Sequence, residues 1–322
     1  MSYVRVLTDE QVAECCDMAA AIEAMKAAFS AISSGSANVP IRTNLKVADR
    51  TESLIMPVAI QSQRFFGLKA VSLTSDNANR NLPRIHAAIL LFDSSTGQPA
   101  GLLNGEFITA LRTGAASGLA TQLMAPDSCD RLVIFGCGKQ AKFQIIATTH
   151  VRQFQSISIV GRDREKAQIL CDELSSLVEC RWHATTDTSV IAKADVICTA
   201  TPSTQPLFNA ADLPTKCHVN AIGSYRPDMV EIPYELMPTF SVFVDQKDAC
   251  LKEAGEIRQA IENGVLDNDS KIRELGEIIE EPFHRPDRTF FKSVGNAVQD
   301  LVVANLVMQK AEERGIGEII SL

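Results

Sequence analysis

The sequence contains no uninterrupted apolar run of about 18 residues, the least a membrane-spanning helix needs. Its start, MSYVRVLTDEQ, lacks the apolar stretch of a secretory signal. It has no C-x-x-C pair; the nine cysteines are scattered and odd in number, which points away from a disulfide framework and from a zinc site. It has no surplus of positive charge. The formal net charge of -8 disfavours non-specific nucleic-acid binding. Internal repeats and low-complexity segments are also missing. These absences leave a cytoplasmic protein without a metal, a membrane or a nucleic acid as partner. What is present is 322 residues of ordinary hydrophobic content, 46%, enough for two domains around a large core.

The chain is organised around residues 131–163, RLVIFGCGKQAKFQIIATTHVRQFQSISIVGRD. Leu132 to Phe135 form a short apolar run suited to a strand buried on both faces. The run ends on Gly136-Cys-Gly138-Lys139-Gln140-Ala141, a G-x-G-x-x-A turn, and helical periodicity follows to about Arg152. Gln155 to Val160 read as a second strand. Gly136 permits the tight turn, Gly138 lets the backbone approach a pyrophosphate, and Ala141 lets the helix pack close to the strand. The helix start offers free N–H groups to the phosphates, with Lys139 and Gln140 among the contacts. The spacing therefore predicts a Rossmann dinucleotide-binding unit.

The end of the second strand selects the cofactor. NAD-binding folds carry an acid there, on the ribose 2′-hydroxyl. This chain has Gly161-Arg162, and a guanidinium suits a 2′-phosphate. NADP(H) is the preferred reading and NAD(H) the alternative, since Asp163 lies one residue further on.

Before this unit the pattern differs. Residues 8 to 33 read as mostly helical, with Asp17 as a cap for the second segment. From Ile41 to Asn104 come short strands without intervening helices, which imply a meandering, largely antiparallel sheet. Glu106 to Met124 read as a long helix. After the turn, strand alternates with helix in the doubly wound manner. Residues 248–264 read as one helix, 265–288 as loop and short helix, and 296–314 as an amphipathic final helix. The expected class is α/β: a Rossmann domain over 119–299, and an α+β substrate or dimerisation domain made of 1–118 and 300–322.

Three basic residues precede the Rossmann unit. Lys69 lies inside an apolar strand and is either snorkelling to the surface or buried for a purpose. Arg112 lies mid-helix, where phosphate contact and a structural ion pair are equal readings. Arg42 alone reads as a surface arginine, and His86 as a satisfied structural histidine. Cys137, inside the Gly turn, reads as a small packing residue.

Ile108-Thr-Ala-Leu-Arg-Thr-Gly-Ala115, the Gly136 turn, His218-Val-Asn-Ala-Ile-Gly-Ser224 and Phe291-Lys-Ser-Val-Gly295 together resemble the ornithine cyclodeaminase/mu-crystallin family, in the same order and over nearly the whole chain. The resemblance implies a homodimer. It places Arg42 and Lys69 on the substrate carboxylate, with Lys69 also near the reacting C=N centre as the catalytic residue. It places Met56 and Val294 beside the substrate. Arg112 and Thr113 become cofactor-phosphate or substrate-proximal contacts, and Thr201, Ile222 and Ser293 line the nicotinamide side.

The departures from the family pattern narrow the reaction. Cyclodeaminases and the family's alanine dehydrogenases carry an Asp in G-x-D-x-P-G-K. Here Gly223-Ser-Tyr-Arg-Pro-Asp-Met229 puts Tyr225 at the Asp and Met229 at the Lys. The cyclodeaminase acid before Met-Pro is replaced by Leu54. A free δ-amine would need such acids. The mu-crystallin-type ketimine reductases lack that Asp too. The resemblance therefore implies reduction of a cyclic ketimine carboxylate, Δ1-pyrroline-2-carboxylate or its six-membered analogue, to L-proline or L-pipecolate. The alternatives are ornithine cyclodeaminase, alanine dehydrogenase, or an NADPH-dependent binder of a small ligand.

Overall fold

The computed structural model describes residues 3–61, 63–267, 271–279, 281 and 283–322. It divides into two compact units, Met1–Arg112 with Asn296–Leu322, and Thr113–Gly295. The sequence expectation sets these divisions at 118/119 and 299/300.

In chain order, unit 1 opens with β1 (Tyr3–Leu7), α1 (Asp9–Cys15) and α2 (Met18–Ser33). It continues through β2 (Ala37–Asn38), β3 (Thr43–Ala48), β4 (Thr51–Ile60), β5 (Phe65–Thr74), β6 (Ile85–Asp93) and β7 (Pro99–Asn104). Helix α3 (Gly105–Met124) carries the division at Arg112/Thr113 within its length. Unit 2 then contains β8 (Arg131–Phe135), α4 (Lys139–Val151), β9 (Ser156–Val160), α5 (Arg164–Leu174), β10 (Arg181–Thr185), β11 (Val196–Thr199) and β12 (Cys217–Ala221). It ends with β13 (Ser241–Val244), α6 (Lys247–Glu253), α7 (Gly255–Glu262), β14 (Ile272–Glu274) and β15 (Arg288–Lys292). The chain returns to unit 1 with α8 (Ala297–Arg314) and β16 (Glu318–Ser321).

The unit 1 sheet has the order β16-β1-β7-β6-β5-β4-β2, with β3 paired to β4. From β2 to β7 every pairing is antiparallel, as the run of strands without helices requires; β1 joins β7 in parallel. Burial alternates along β4 at Leu54, Met56, Val58 and Ile60, and along β5 at Phe65, Gly67, Lys69 and Val71. This is the period-2 signature of a sheet with one covered face. Helix α8 covers it, packing on β4 and β5, and α2 packs on α8. Asp17 caps α2 as expected, its carboxylate accepting from Ala20 N at 2.8 Å.

The unit 2 sheet runs β10-β9-β8-β11-β12-β15-β13-β14, with every neighbouring pair parallel. This is the expected doubly wound sheet. Its order reverses at β8: β9 and β10 lie on one side, β11 and β12 on the other. Side chains of β8 alternate between two cores, Val133 and Phe135 in one, Leu132 and Ile134 in the other. A strand buried on both faces reads as an unbroken apolar run for this reason.

Some elements differ from the sequence reading. The expected 248–264 helix is two helices, α6 and α7. Gly255 begins the second, where an added Cβ would lie 2.1 Å from Met229 O, so a neighbouring loop presses on the break. Residues 188–193, where the sequence pattern predicts a helix, form a 3-10 turn. Strand β15 was not anticipated, and neither were β1 and β16. The 265–288 segment contains β14 and a 3-10 turn at Leu275–Ile278; its residues 268–270, 280 and 282 lie outside the described residues. No helix among the described residues is long and apolar enough to cross a membrane.

Replacing the cap in Asp17→Ala should lower stability by about 1 kcal/mol. A denaturant midpoint equal to the parent's would show that α2 does not depend on this cap.

Candidate active site

Unit 2 builds a nucleotide-binding turn at the strand-order reversal. Gly136 follows β8 at φ 113°, a left-handed conformation that excludes side chains. A Cβ there would also lie 2.7 Å from Ala200 O, just beyond β11. Gly138 caps α4 without any side-chain bond, and a Cβ placed on it meets nothing within 4 Å. The first N–H groups of α4 therefore lie against open space. Ala141 is fully buried, so helix and strand pack closely. Gln140 Oε1 is buried with no hydrogen-bond partner among the described residues. The open helix start fits a dinucleotide, whose pyrophosphate would lie on Gly136, Gly138, Lys139 and the backbone N–H of Gln140.

Arg162 is exposed at the end of β9. Asp163 caps α5, its Oδ1 accepting from Glu165 N at 3.0 Å and Lys166 N at 3.4 Å. The acid is thus turned to its own helix. Cys137 packs against Gly161, where a Cβ would lie 2.5 Å from its Sγ. Burial pushes its thiol up, which favours the unreactive form and agrees with a packing role.

Beyond β11 and β12 lie residues that sequence reasoning missed. Glu231 is fully buried. Its Oε1 accepts from Thr201 N at 2.7 Å and Thr201 Oγ1 at 2.9 Å. Its Oε2 accepts from Gly223 N at 2.7 Å and Ser224 N at 3.2 Å. Beside it, Lys292 Nζ lies 2.9 Å from Glu256 Oε1, both side chains fully buried. Ser224 Oγ donates to Glu256 and accepts from Lys292. Ile222 N bonds to Thr199 O at 3.0 Å. Ser293 Oγ donates to Asp245 at 2.7 Å, and Val294, next to it, is buried. Tyr225 is half-buried against the unit 2 core. Asp228 forms an exposed two-pronged pair with Arg226, at 3.1 Å on each side.

Unit 1 gathers charge beneath its sheet. Lys69 takes a core position of β5, opposite Met56 on β4. It is 3% exposed, which settles burial over snorkelling. Its Nζ lies 2.7 Å from Oδ2 of Asp300 on α8. Arg112 Nε donates to Oδ1 of the same carboxylate at 3.2 Å, and Nη1 donates to Gln299 at 2.7 Å. The ion-pair reading of Arg112 is the one these contacts express. Thr113, the next residue, is buried and belongs to unit 2, its carbonyl accepting from Gln144.

Burial lowers the Lys69 pKa to about 8. Arg112 and half-buried Arg42 push the same way, and Asp300 opposes them. A lysine so placed is charged at neutral pH yet gives up its proton readily. His86 Nδ1 pairs with Glu106 at 2.9 Å, the satisfied structural role expected of it. Asp300 was not foreseen. Its signal was an acid between Val298 and Leu301 on a helix face whose neighbours are buried.

The chain is 35% identical over 288 residues to a Δ1-pyrroline-2-carboxylate reductase of Bacillus cereus, covering 87% of this chain and 88% of that protein. It is 34% identical over 289 residues to the ketimine reductase mu-crystallin of Mus musculus, covering 89% of each. Its fold matches the structure of Thermococcus litoralis Δ1-pyrroline-2-carboxylate reductase in complex with NADH and L-proline, at a TM-score of 0.92 and 31% identity over 98% of this chain and 99% of that one. The profile of the ornithine cyclodeaminase/mu-crystallin family matches residues 4–315, and the chain belongs to that family.

Proposed function

We propose that this protein reduces cyclic ketimine carboxylates, Δ1-pyrroline-2-carboxylate and its six-membered analogue Δ1-piperideine-2-carboxylate, to L-proline and L-pipecolate, with NADP(H) preferred over NAD(H). The reductases among its relatives support the reaction class. The observation that carries the choice within the family is the state of Asp300. This acid, the one against Lys69, is bound at both oxygens, by Lys69 and by Arg112. With Tyr225 and Leu54 at the positions of the cyclodeaminase acids, a diamino acid's second amine meets no carboxylate at either place.

Lys69 and Arg42 hold the substrate carboxylate in this reading, and Met56 flanks Lys69 with an apolar wall. The dinucleotide, when bound, supplies the hydride. The ring nitrogen must gain a proton to become a good acceptor, and in this reading Lys69, through a water, or solvent delivers it. Asp300 keeps the lysine charged between turnovers, and Arg112 keeps Asp300 in place. Arg162 takes the 2′-phosphate, a role that the capping duty of Asp163 leaves to it. A second copy of the chain completes the protein. The exposed face of β3, with Leu45 and Val47, offers apolar surface for such a copy.

The deciding assay follows cofactor oxidation with pyrroline and piperideine carboxylates, beside ornithine plus NAD⁺. Brisk ammonia release from ornithine, with no imine reduction, would overturn the proposal. Lys69→Ala should lower turnover by about 10²- to 10⁴-fold while NADPH binding persists; a near-parental rate would remove Lys69 from catalysis. Arg162→Asp should move preference toward NADH, and an unchanged kcat/KM ratio for the two coenzymes would refute the phosphate role.

The pH dependence has a definite sign. Lys69 is charged below about 8 and neutral above it. Affinity for pyrrole-2-carboxylate, whose ring nitrogen does not protonate in this range, should therefore fall as pH rises through about 8, by roughly tenfold per unit. In Lys69→Arg the fall should vanish from calorimetric titrations up to about pH 10, because a guanidinium keeps its charge there. Persistence of the same fall would assign it to another group.

A further inference from the structure

The parallel sheet of unit 2 ends in two loops, Ala200–Thr201 after β11 and Ile222–Ser224 after β12. In a doubly wound sheet the dinucleotide straddles the strand-order reversal. The pyrophosphate takes the helix start after β8, the adenosine half lies toward β9, and the nicotinamide half falls on the side of β11 and β12. The backbone N–H groups of Thr201, Gly223 and Ser224 lie where the sheet ladder runs out. All three are taken up by one side chain, Glu231, together with the Thr201 hydroxyl.

The fit is close. A Cβ on Gly223 would lie 2.3 Å from both Thr201 N and Thr201 O, and 2.5 Å from Glu231 Oε1. A Cβ on Gly136 would meet Ala200 O. The nucleotide turn therefore abuts the β11 loop, and the β11 loop abuts the β12 loop with Glu231 in the joint. Three of the four groups facing the carboxylate are amides that can only donate, so the ionised form is the one that fits. Burial pushes the Glu231 carboxyl up, Lys292 pulls it back down, and Glu256 adds to the rise. A buried carboxylate is a poor way to gain stability, because apolar packing does as well without the desolvation cost. Its value lies in holding two loops at one spacing.

We infer that Glu231 is a positioning residue that shapes the nicotinamide half of the dinucleotide site by clasping the ends of β11 and β12. The inference rests on the reading of a dinucleotide at the Gly136 turn. Glu231 itself is buried behind the loops and acts through Thr201, Ile222 and Gly223. Ser224, bonded to Glu256 and Lys292, anchors the clasp from below.

The test compares ligands with and without the nicotinamide. The full-length parent and Glu231→Gln are titrated calorimetrically with NADPH and with 2′-phospho-ADP-ribose, and in parallel with NADH and ADP-ribose. A carboxamide keeps the volume but turns an NH₂ group toward amide donors. The Kd for the complete dinucleotide should rise about tenfold or more in the variant, while that for the truncated ligand stays within about twofold. Equal losses for both ligands, or no loss for either, would overturn the inference. A parent that binds neither ligand pair would refute the underlying nucleotide reading, a failure visible before any variant is made. Should Glu231→Gln not fold, Glu231→Asp keeps the charge but is too short to reach both loops. It should show the same selective loss, and a parental NADPH Kd in it would equally overturn the clasp.

Discussion

A lysine at a core position of a sheet needs a counter-charge, and here that need is met from the far end of the chain. Lys69 on β5 finds Asp300 on α8, 231 residues away. Removing one partner of such a buried pair costs roughly 3–5 kcal/mol, because the other is left uncompensated. Unit 1 therefore draws on α8, from beyond unit 2 in the sequence, to keep its lysine inside. Unit 1 accordingly consists of an N-terminal part and a C-terminal part, joined by this pair and by the packing of α8 on the sheet. The same carboxylate also fixes Arg112, so one acid organises two cations. Burial and the neighbouring arginines leave Lys69 with its proton loosely held.

Unit 2 solves a different problem with similar means. A parallel sheet buried on both faces leaves amide groups unpaired where its strands end. Ligand sites form at that edge because the amides are available there. Gly136 and Gly138 keep one part of the edge open, while Glu231 closes another part by taking its amides. Lys292 and Glu256 accompany Glu231 in the interior, so the charges are not isolated from one another.

What could be read in advance was local. The G-x-G-x-x-A turn, its flanking strand and helix, and the cap at Asp17 each depend on residues a few positions apart. The meander of unit 1 showed in its succession of short strands without intervening helices, and Lys69 stood out as a charge inside an apolar strand. The counterparts were not legible. Asp300 sits in a helix of ordinary amphipathic appearance, and its meaning comes only from the strand beneath it. Glu231 lies in PDMVEIPYELM, where nothing within the segment announces that three amides from two other segments converge on it. Strand β15 begins and ends on charged residues, Arg288 and Lys292, that mask its apolar centre. Its identity as a strand depends on insertion between β12 and β13. The short β1 and β16 pair with each other from opposite ends of the chain, which no window of sequence can register.

The capping of α5 by Asp163 has a consequence for how coenzyme choice can drift. Asp163 is engaged in holding a helix start, whereas Arg162 beside it lies exposed, outside both cap and core. Under the proposed phosphate role of Arg162, exchange at that position spares the cap of α5, so a lineage could move between reductant pools by one surface change without passing through a weakened intermediate. Loss of Asp163 would instead register first as fraying of α5. On that proposal, coenzyme choice and helix integrity rest on adjacent residues yet can vary independently.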